Sequence, residues 1–311
     1  MTNEEIISAM KHCSLCPREC GADRTKGHGF CGEGRTVRIA RAALHMWEEP
    51  CISGTRGSGT VFFSGCTLKC VFCQNYEISH EGKGFGVTEE LLAECFLRLK
   101  EQGAHNINLV NPTHFVPQIL AALDICGDIG IPVVYNTGGY DKPETLVMLR
   151  GRVSVFLPDL KYFDSALSRK YSSAADYYDR ALAAIEKMYD IAGKPVFDDD
   201  GIMQSGVIVR HLILPNSRKD SIALIEKLAE RFKPDEIMVS LMAQYTPVYR
   251  AKEFRELSRR LSAFEYRTVA EALERTGFDG FMQERGSADE SFIPEFFGSP
   301  PEGIFLSKSP G

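Results

Sequence analysis

The sequence predicts an α/β fold, a partial (β/α)6 barrel with a small cysteine-rich segment in front of it, on three observations. Six short apolar runs recur along the chain, each followed by a stretch with helical periodicity. That alternation implies parallel strands joined by right-handed crossovers. Six units are too few for a closed eight-fold barrel. The first run also leads straight into a cysteine triplet, and ligands in parallel α/β folds bind beyond the carboxyl ends of the strands.

The elements are expected in this order. Residues 10–35 are rich in cysteine and glycine and show little periodicity, and residues 36–58 pass through Ile39–His45 to the glycine-rich stretch Gly54–Gly59. Thr60–Phe63 reads as a buried strand. Residues 88–102 read as a helix, with Leu92, Cys95, Phe96 and Leu99 on one face. Strands follow over 106–110, 131–135 and 153–157, with helices over 115–127, roughly 142–150 and most of 164–191. A further strand at 206–213 precedes a helix at 218–232, and a last strand at 237–241 precedes helical pattern over 251–275. These runs predict three regions: a metal-binding segment at 1–50, the barrel at 51–280 and an extension at 281–311.

Composition narrows the function classes. The net charge of −6 and the absence of a basic block give no electrostatic support for nucleic acid or a membrane surface as partner. No run approaches the ~18 apolar residues of a membrane span, and the acidic start Met1–Ile6 lacks a signal-peptide core. A cytoplasmic location is therefore expected. In that compartment thiols stay reduced, and seven of the ten cysteines fall in two tight groups, so metal ligation explains them better than disulfides.

The first group is Cys66, Cys70 and Cys73, spaced C-x3-C-x2-C with Phe72 just before the last. Three thiolates so placed suit a cubane cluster that normally takes four, leaving one iron open for chemistry. The plainer alternatives are three buried cysteines or a partial zinc site. The second group, Cys13, Cys16, Cys20 and Cys31, supplies the four thiolates of a structural zinc or of a fully ligated auxiliary iron–sulfur cluster. Cys51, Cys95 and Cys126 read as bystanders.

The triplet with its aromatic residue resembles the signature of the radical S-adenosylmethionine (SAM) superfamily. That resemblance implies a partial TIM-like barrel and a [4Fe-4S] cluster on Cys66, Cys70 and Cys73, whose free iron chelates the amino and carboxylate groups of SAM. It further implies one-electron reduction of the sulfonium, giving methionine and a 5′-deoxyadenosyl radical that abstracts hydrogen from a substrate. An external one-electron donor, a flavodoxin or ferredoxin, is implied as a partner.

The other strand ends are polar or glycine-rich: Asn111–His114, Asn136–Gly139, Asp159–Lys161, Arg210–His211 and Gln244–Tyr245. Each alone reads as a turn or a local ion pair; together they point to a shared site. Candidate SAM-binding residues are Phe72, Thr113, Asn136, Thr137, Gly138, Gly139, Asp159, Lys161 and His211. Relatives often end the second strand in Gly-Gly-Glu to hold the amino group; here Pro112-Thr113-His114 stands there, and Thr113 is the candidate. Asp159-Leu160-Lys161, Asn136–Gly139 and Val209–His211 with Pro215 resemble the activases of glycyl radical enzymes. Over residues 10–298 the chain resembles the pyruvate formate-lyase activating enzyme-like group, with Gly54–Gly59, Cys73–Tyr76 and Gln283–Ser287 as further marks. Hydrogen abstraction from a protein glycine or another peptide is the function expected. A radical enzyme acting on a small metabolite and an iron–sulfur redox carrier are the alternatives. No catalytic acid or base is named, and His45, Trp47, Glu48 and Glu49 carry no assigned role.

Overall fold

The computed structural model describes residues 1–283. In chain order its elements are α1 (Asn3–Lys11), β1 (Val37–His45), α2 (Pro50–Ser53), β2 (Ser58–Phe63), α3 (Tyr76–Ser79), β3 (Phe85–Val87), α4 (Glu89–Glu101), β4 (Ile107–Val110), α5 (Val116–Cys126), β5 (Val133–Thr137), α6 (Pro143–Val147) and β6 (Val155–Pro158). They continue as α7 (Ser165–Ser172), α8 (Tyr177–Ala192), β7 (Val196–Phe197), β8 (Met203–Leu212), α9 (Arg218–Arg231), β9 (Met238–Met242), α10 (Ala263–Glu274) and β10 (Gly280–Met282). All six expected strands are present as β2, β4, β5, β6, β8 and β9, and the fold is α/β with parallel strands, as expected.

The chain divides into two compact units. The first holds Met1–Thr67 and Glu77–Asn136, and the second holds Leu68–Tyr76 and the described residues from Thr137 onward. In the first, β2, β4 and β5 are parallel, while β1 and β3 add an antiparallel edge to β2. The register places Arg41 opposite Phe62, Thr60 opposite Asn108, and Val110 opposite Asn136, so these residues share one face of the sheet. The other face carries Val61, Phe63, Ile107, Leu109 and Tyr135, all fully buried, with Phe63 packed on Phe115 at the entry to α5. β1 was not expected as a strand: its alanine-rich sequence has weak β propensity, and pairing with β2 overrides that preference.

In the second unit β6, β8, β9 and β10 are parallel and β7 pairs antiparallel with β8. The helical pattern over 164–191 is two helices, because Ser173 takes a left-handed conformation (φ 54°) that ends α7. The pattern over 251–275 is helical only from Ala263, where Ser262 and Glu265 form a capping box, with short 3₁₀ turns before it. Of the extension expected at 281–311, residues 284–311 lie outside the described residues, and with them most of Gln283–Ser287.

A close approach inside this unit fixes one residue. Gly139 has φ +80°, and a Cβ there would lie 2.0 Å from the Asp159 carbonyl oxygen and 3.0 Å from the Tyr177 hydroxyl. Left-handed strain of ~1–2 kcal/mol and an overpacking cost of ~1–3 kcal/mol add together at this point. Gly139→Ala is therefore expected to lower stability by roughly 3 kcal/mol in urea denaturation; a midpoint equal to wild type would contradict the close approach.

Candidate functional site

Two of the triplet cysteines, Cys66 and Cys70, face hydrogen-bond donors. In the first unit the Asn111 side-chain amide donates to the Cys66 sulfur at 3.1 Å, and Thr113 donates to Asn111 Oδ1 at 3.1 Å. Asn111 stands just past β4, so strand pairing aims it, and Thr113 sets which end of its amide faces the sulfur. In the second unit the Ser172 hydroxyl donates to the Cys70 sulfur at 3.0 Å and lies 2.7 Å from the Tyr162 hydroxyl. Burial pushes the Cys70 thiol up, while Lys161 and Ser172 pull it down. Donors of this kind stabilise a thiolate more than a thiol. The Cys73 amide closes a turn onto the Cys70 carbonyl at 3.2 Å. Among the described residues, no three His, Cys, Asp or Glu side chains stand gathered as ligands around one point. The donor set at Cys66 and Cys70 nonetheless fits anionic sulfur ligands.

The strand ends of the second unit carry a buried charge cluster. Asp159 pairs with Lys161 and, at 3.0 Å, with Arg210. Burial pushes the Asp159 carboxyl up, and the two cations overcome it and hold it below the ordinary carboxylate value. Burial likewise opposes the charge on Lys161, and Asp159 followed by Cys70 holds that ammonium above its ordinary value. Two cations against one carboxylate leave an excess positive charge suited to an anionic group.

Tyr177 organises the backbone here. Its hydroxyl lies 2.8 Å from the Gly138 carbonyl and 2.7 Å from the Asp159 carbonyl, and it accepts the Lys161 N–H at 3.1 Å. Thr137 donates its hydroxyl to Asp141 at 2.6 Å and receives the Gly139 N–H at 3.3 Å. Phe72 is buried edge-on against Tyr162 and Tyr245, with ring centroids 6.4 and 6.1 Å away.

His211 is placed differently from a ligand-facing histidine. It is 1% exposed, with Nδ1 2.7 Å from the Leu160 carbonyl and Nε2 2.8 Å from the Ser221 hydroxyl. Burial pulls its pKa down to about 4, against the smaller opposing pull of the Leu160 hydrogen bond. The ring is therefore neutral at pH 7: Nδ1–H donates to Leu160, and Nε2 accepts from Ser221.

Glu48 is the clearest residue without a role in the sequence that the structure brings to the sheet. Its Oε1 accepts from Asn108 at 3.1 Å and from Asn136 at 3.2 Å, on the same sheet face. Asn108 Oδ1 is buried and has no hydrogen-bond partner among the described residues. Asn111, Ser172, Tyr177 and Arg210 were likewise outside the candidate set. Asn111 and Arg210 had a signal, their places at polar strand ends.

The N-terminal cysteines all lie in the first unit. Cys13, Cys16 and Cys31 are buried and Cys20 is exposed. Burial pushes the Cys16 thiol up to about 12, and the thiols of Cys13, Cys31 and Cys20 each push it further, so the four sulfurs share one electrostatic neighbourhood.

Residues 60–199 match the model of the Radical SAM superfamily. These 140 residues form a radical SAM domain, and carrying that domain supports an enzyme. The uncharacterized protein MJ0674 of Methanocaldococcus jannaschii is 29% identical over 279 residues, which cover 86% of this chain and 76% of that protein. The radical SAM domain carries likeness to two solved structures at low identity. Streptococcus suis SuiB, bound to the precursor peptide SuiA, is 15% identical with a TM-score of 0.48, covering 70% of this chain and 46% of SuiB. A domain of pyruvate-formate lyase-activating enzyme from Bacteroides vulgatus is 16% identical with a TM-score of 0.40, covering 54% of this chain and 91% of that domain. The chain thus spans less than half of SuiB. A radical SAM domain implies a [4Fe-4S] cluster and SAM. Among the described residues no helix is long and apolar enough to cross a membrane.

Two outcomes follow from this geometry. His211 binds no proton in the fold until pH nears 4, whereas the unfolded chain binds one near pH 6.5. Its contribution is complete above about pH 6.5 and drains as pH falls to about 4, a loss of about 3 kcal/mol. Urea titrations across that window should show this slope in wild type and its absence in His211→Asn. Were Cys70 the ligand of an iron–sulfur cluster, Ser172→Ala would shift the potential of that cluster to more negative values in an EPR-monitored titration, because a donor to a ligand sulfur favours the more reduced, more anionic state; an unmoved potential would rule out that bond.

Proposed function

We propose that Cys66, Cys70 and Cys73 hold the [4Fe-4S] cluster and that the polar strand ends hold SAM, for hydrogen abstraction from a glycine or other residue of a protein or peptide. The observation that carries this reading is the C-x3-C-x2-C loop placed directly after β2, the first parallel strand, with hydrogen-bond donors on the sulfurs of Cys66 and Cys70. Cluster and SAM together supply a 5′-deoxyadenosyl radical, and the protein supplies binding, orientation and exclusion of water.

The residues of this chain divide that work. Lys161 and Arg210, with Asp159 between them, provide the positive charge that attracts the carboxylate of SAM. Gly138 and Gly139 let backbone approach the ligand, and Tyr177 holds that backbone in place. Thr113 acts through Asn111 on Cys66, and Asn136 and Thr137 offer polar contacts to the methionyl or ribose groups. Phe72 packs the loop against Tyr162 and Tyr245. His211 acts through Leu160, fixing the backbone that presents Lys161. Radical SAM enzymes need an electron donor, and a flavodoxin or ferredoxin fits that need. The Asp159-Leu160-Lys161 resemblance to the activases supports a protein substrate over a small metabolite.

Anaerobic reconstitution, reduction and addition of SAM should yield 5′-deoxyadenosine from wild type. Cys66→Ala should lose the iron of this cluster and cleavage together; retention of both would overturn the assignment. Deuterium passing from glycine-labelled protein into 5′-deoxyadenosine would support the peptide substrate, and transfer only from a small-molecule fraction would refute it.

A further inference from the structure

The N-terminal cysteine segment and the start of the cysteine loop, Gly65 to Thr67, are built as one piece within the first unit. The Cys66 N–H donates to the Cys31 carbonyl at 3.1 Å, and Arg18 Nε donates to the Thr67 carbonyl at 2.9 Å. Between them Gly65 (φ +78°) has no room for a side chain: a Cβ would lie 2.4 Å from Glu33 Cγ and 2.8 Å from the Cys31 carbonyl oxygen. Arg24, 1% exposed, locks the arrangement with bonds to the carbonyls of Glu33 (3.0 Å), Gly34 (2.8 Å) and His114 (2.7 Å). His114 Nε2 in turn lies 2.7 Å from the Ser64 carbonyl.

The four sulfurs of this segment face donors. Backbone N–H groups two residues further on serve three of them: Arg18 for Cys16, Ala22 for Cys20 and Glu33 for Cys31. Arg24 Nη1 faces the fourth, Cys13, at 3.7 Å. Four donor-dressed sulfurs beside a buried cation are the environment of thiolates bound to a metal, whose net negative charge the guanidinium offsets. A Cβ on Gly29 would lie 3.4 Å from Cys20 Sγ and from Cys31 Sγ alike, so these two sulfurs flank one small space. Four thiolates in short spacings that open on C-x2-C suit one tetrahedral ion, with metal–sulfur bonds of ~2.3 Å.

We propose that Cys13, Cys16, Cys20 and Cys31 hold one zinc ion, and that the zinc knuckle is the template for Gly65, Cys66 and Thr67, so that retention of the catalytic cluster depends on it. This rests on the reading of Cys66, Cys70 and Cys73 as cluster ligands. The dependence runs through the Cys31 carbonyl and Arg18. Losing the ion frees Cys31, and with it the backbone that orients Cys66 toward its iron.

The test uses the full chain, purified and reconstituted without oxygen, and reads metal content and the rate at which a ferrous chelator strips iron. Wild type should carry about one zinc and about four irons. Cys20→Ser should lose the zinc and release iron about tenfold faster, the scale on which supporting contacts tune metal affinity. Arg18→Ala, which leaves the four cysteines in place, should keep the zinc and still release iron several-fold faster. It carries the test if Cys20→Ser does not fold. Zinc retained in Cys20→Ser, or about eight irons and no zinc in wild type, overturns the zinc site. Zinc loss, or Arg18→Ala, with unchanged iron release overturns the template. Cys66→Ala distinguishes the underlying reading: full iron retention there refutes the cluster assignment, whatever the knuckle does.

Discussion

Gly65 is the constraint from which the first unit is arranged. The chain leaves β2 and must enter the cysteine loop under the Cys31 carbonyl and the Glu33 side chain, at a backbone conformation that favours glycine and with space for nothing larger. That crowding exists because the N-terminal segment is packed into the fold instead of trailing from it. Arg24 makes the packing tolerable. A guanidinium taken out of water is costly unless its donors are met, and here three carbonyls and a sulfur meet them. One of those carbonyls belongs to His114, next to the strand end that carries Asn111 and Thr113. A single buried side chain thus ties the N-terminal cysteine segment to the β4 strand end.

The second unit solves a different problem, holding three charges away from solvent without neutralising them. Asp159, Lys161 and Arg210 are each only slightly exposed; Asp159 stays charged because both cations are beside it, and Lys161 because Asp159 is. Removing one partner of such a group costs more than removing a surface pair, because the remaining charge is left uncompensated. The neutral groups around them keep the geometry. His211 stays uncharged and bonds backbone and hydroxyl, and Tyr177 binds two carbonyls and an amide. The charges attract; the neutral donors and acceptors position.

Much of this was legible in the sequence, for identifiable reasons. β2, β4, β5, β6, β8 and β9 are short apolar runs bounded by glycine, proline or asparagine, a pattern that buried parallel strands impose. The 164–191 stretch keeps helical periodicity across its break, so only Ser173 and its left-handed backbone reveal two helices. β1 was hidden because an alternation of alanine with charged residues has no strong local preference. Glu48 was hidden for a related reason: an acidic residue beside an exposed tryptophan looks like surface, and only the sheet register brings Asn108 and Asn136 to it.

The sequence by itself determined the chemistry: which thiols are close along the chain, which class of parallel α/β fold carries them, and which strand ends present polar groups. Covalent spacing and hydrophobic period are local properties, and they survive without coordinates. The tertiary structure decided the partnerships. Asn111 on Cys66, Ser172 on Cys70, Tyr177 under Gly138 and Cys31 on Cys66 join residues 35 to 102 positions apart. Hydrogen bonds reach about 3 Å and carry no trace along the chain, so only the packed fold states which donors meet which sulfurs.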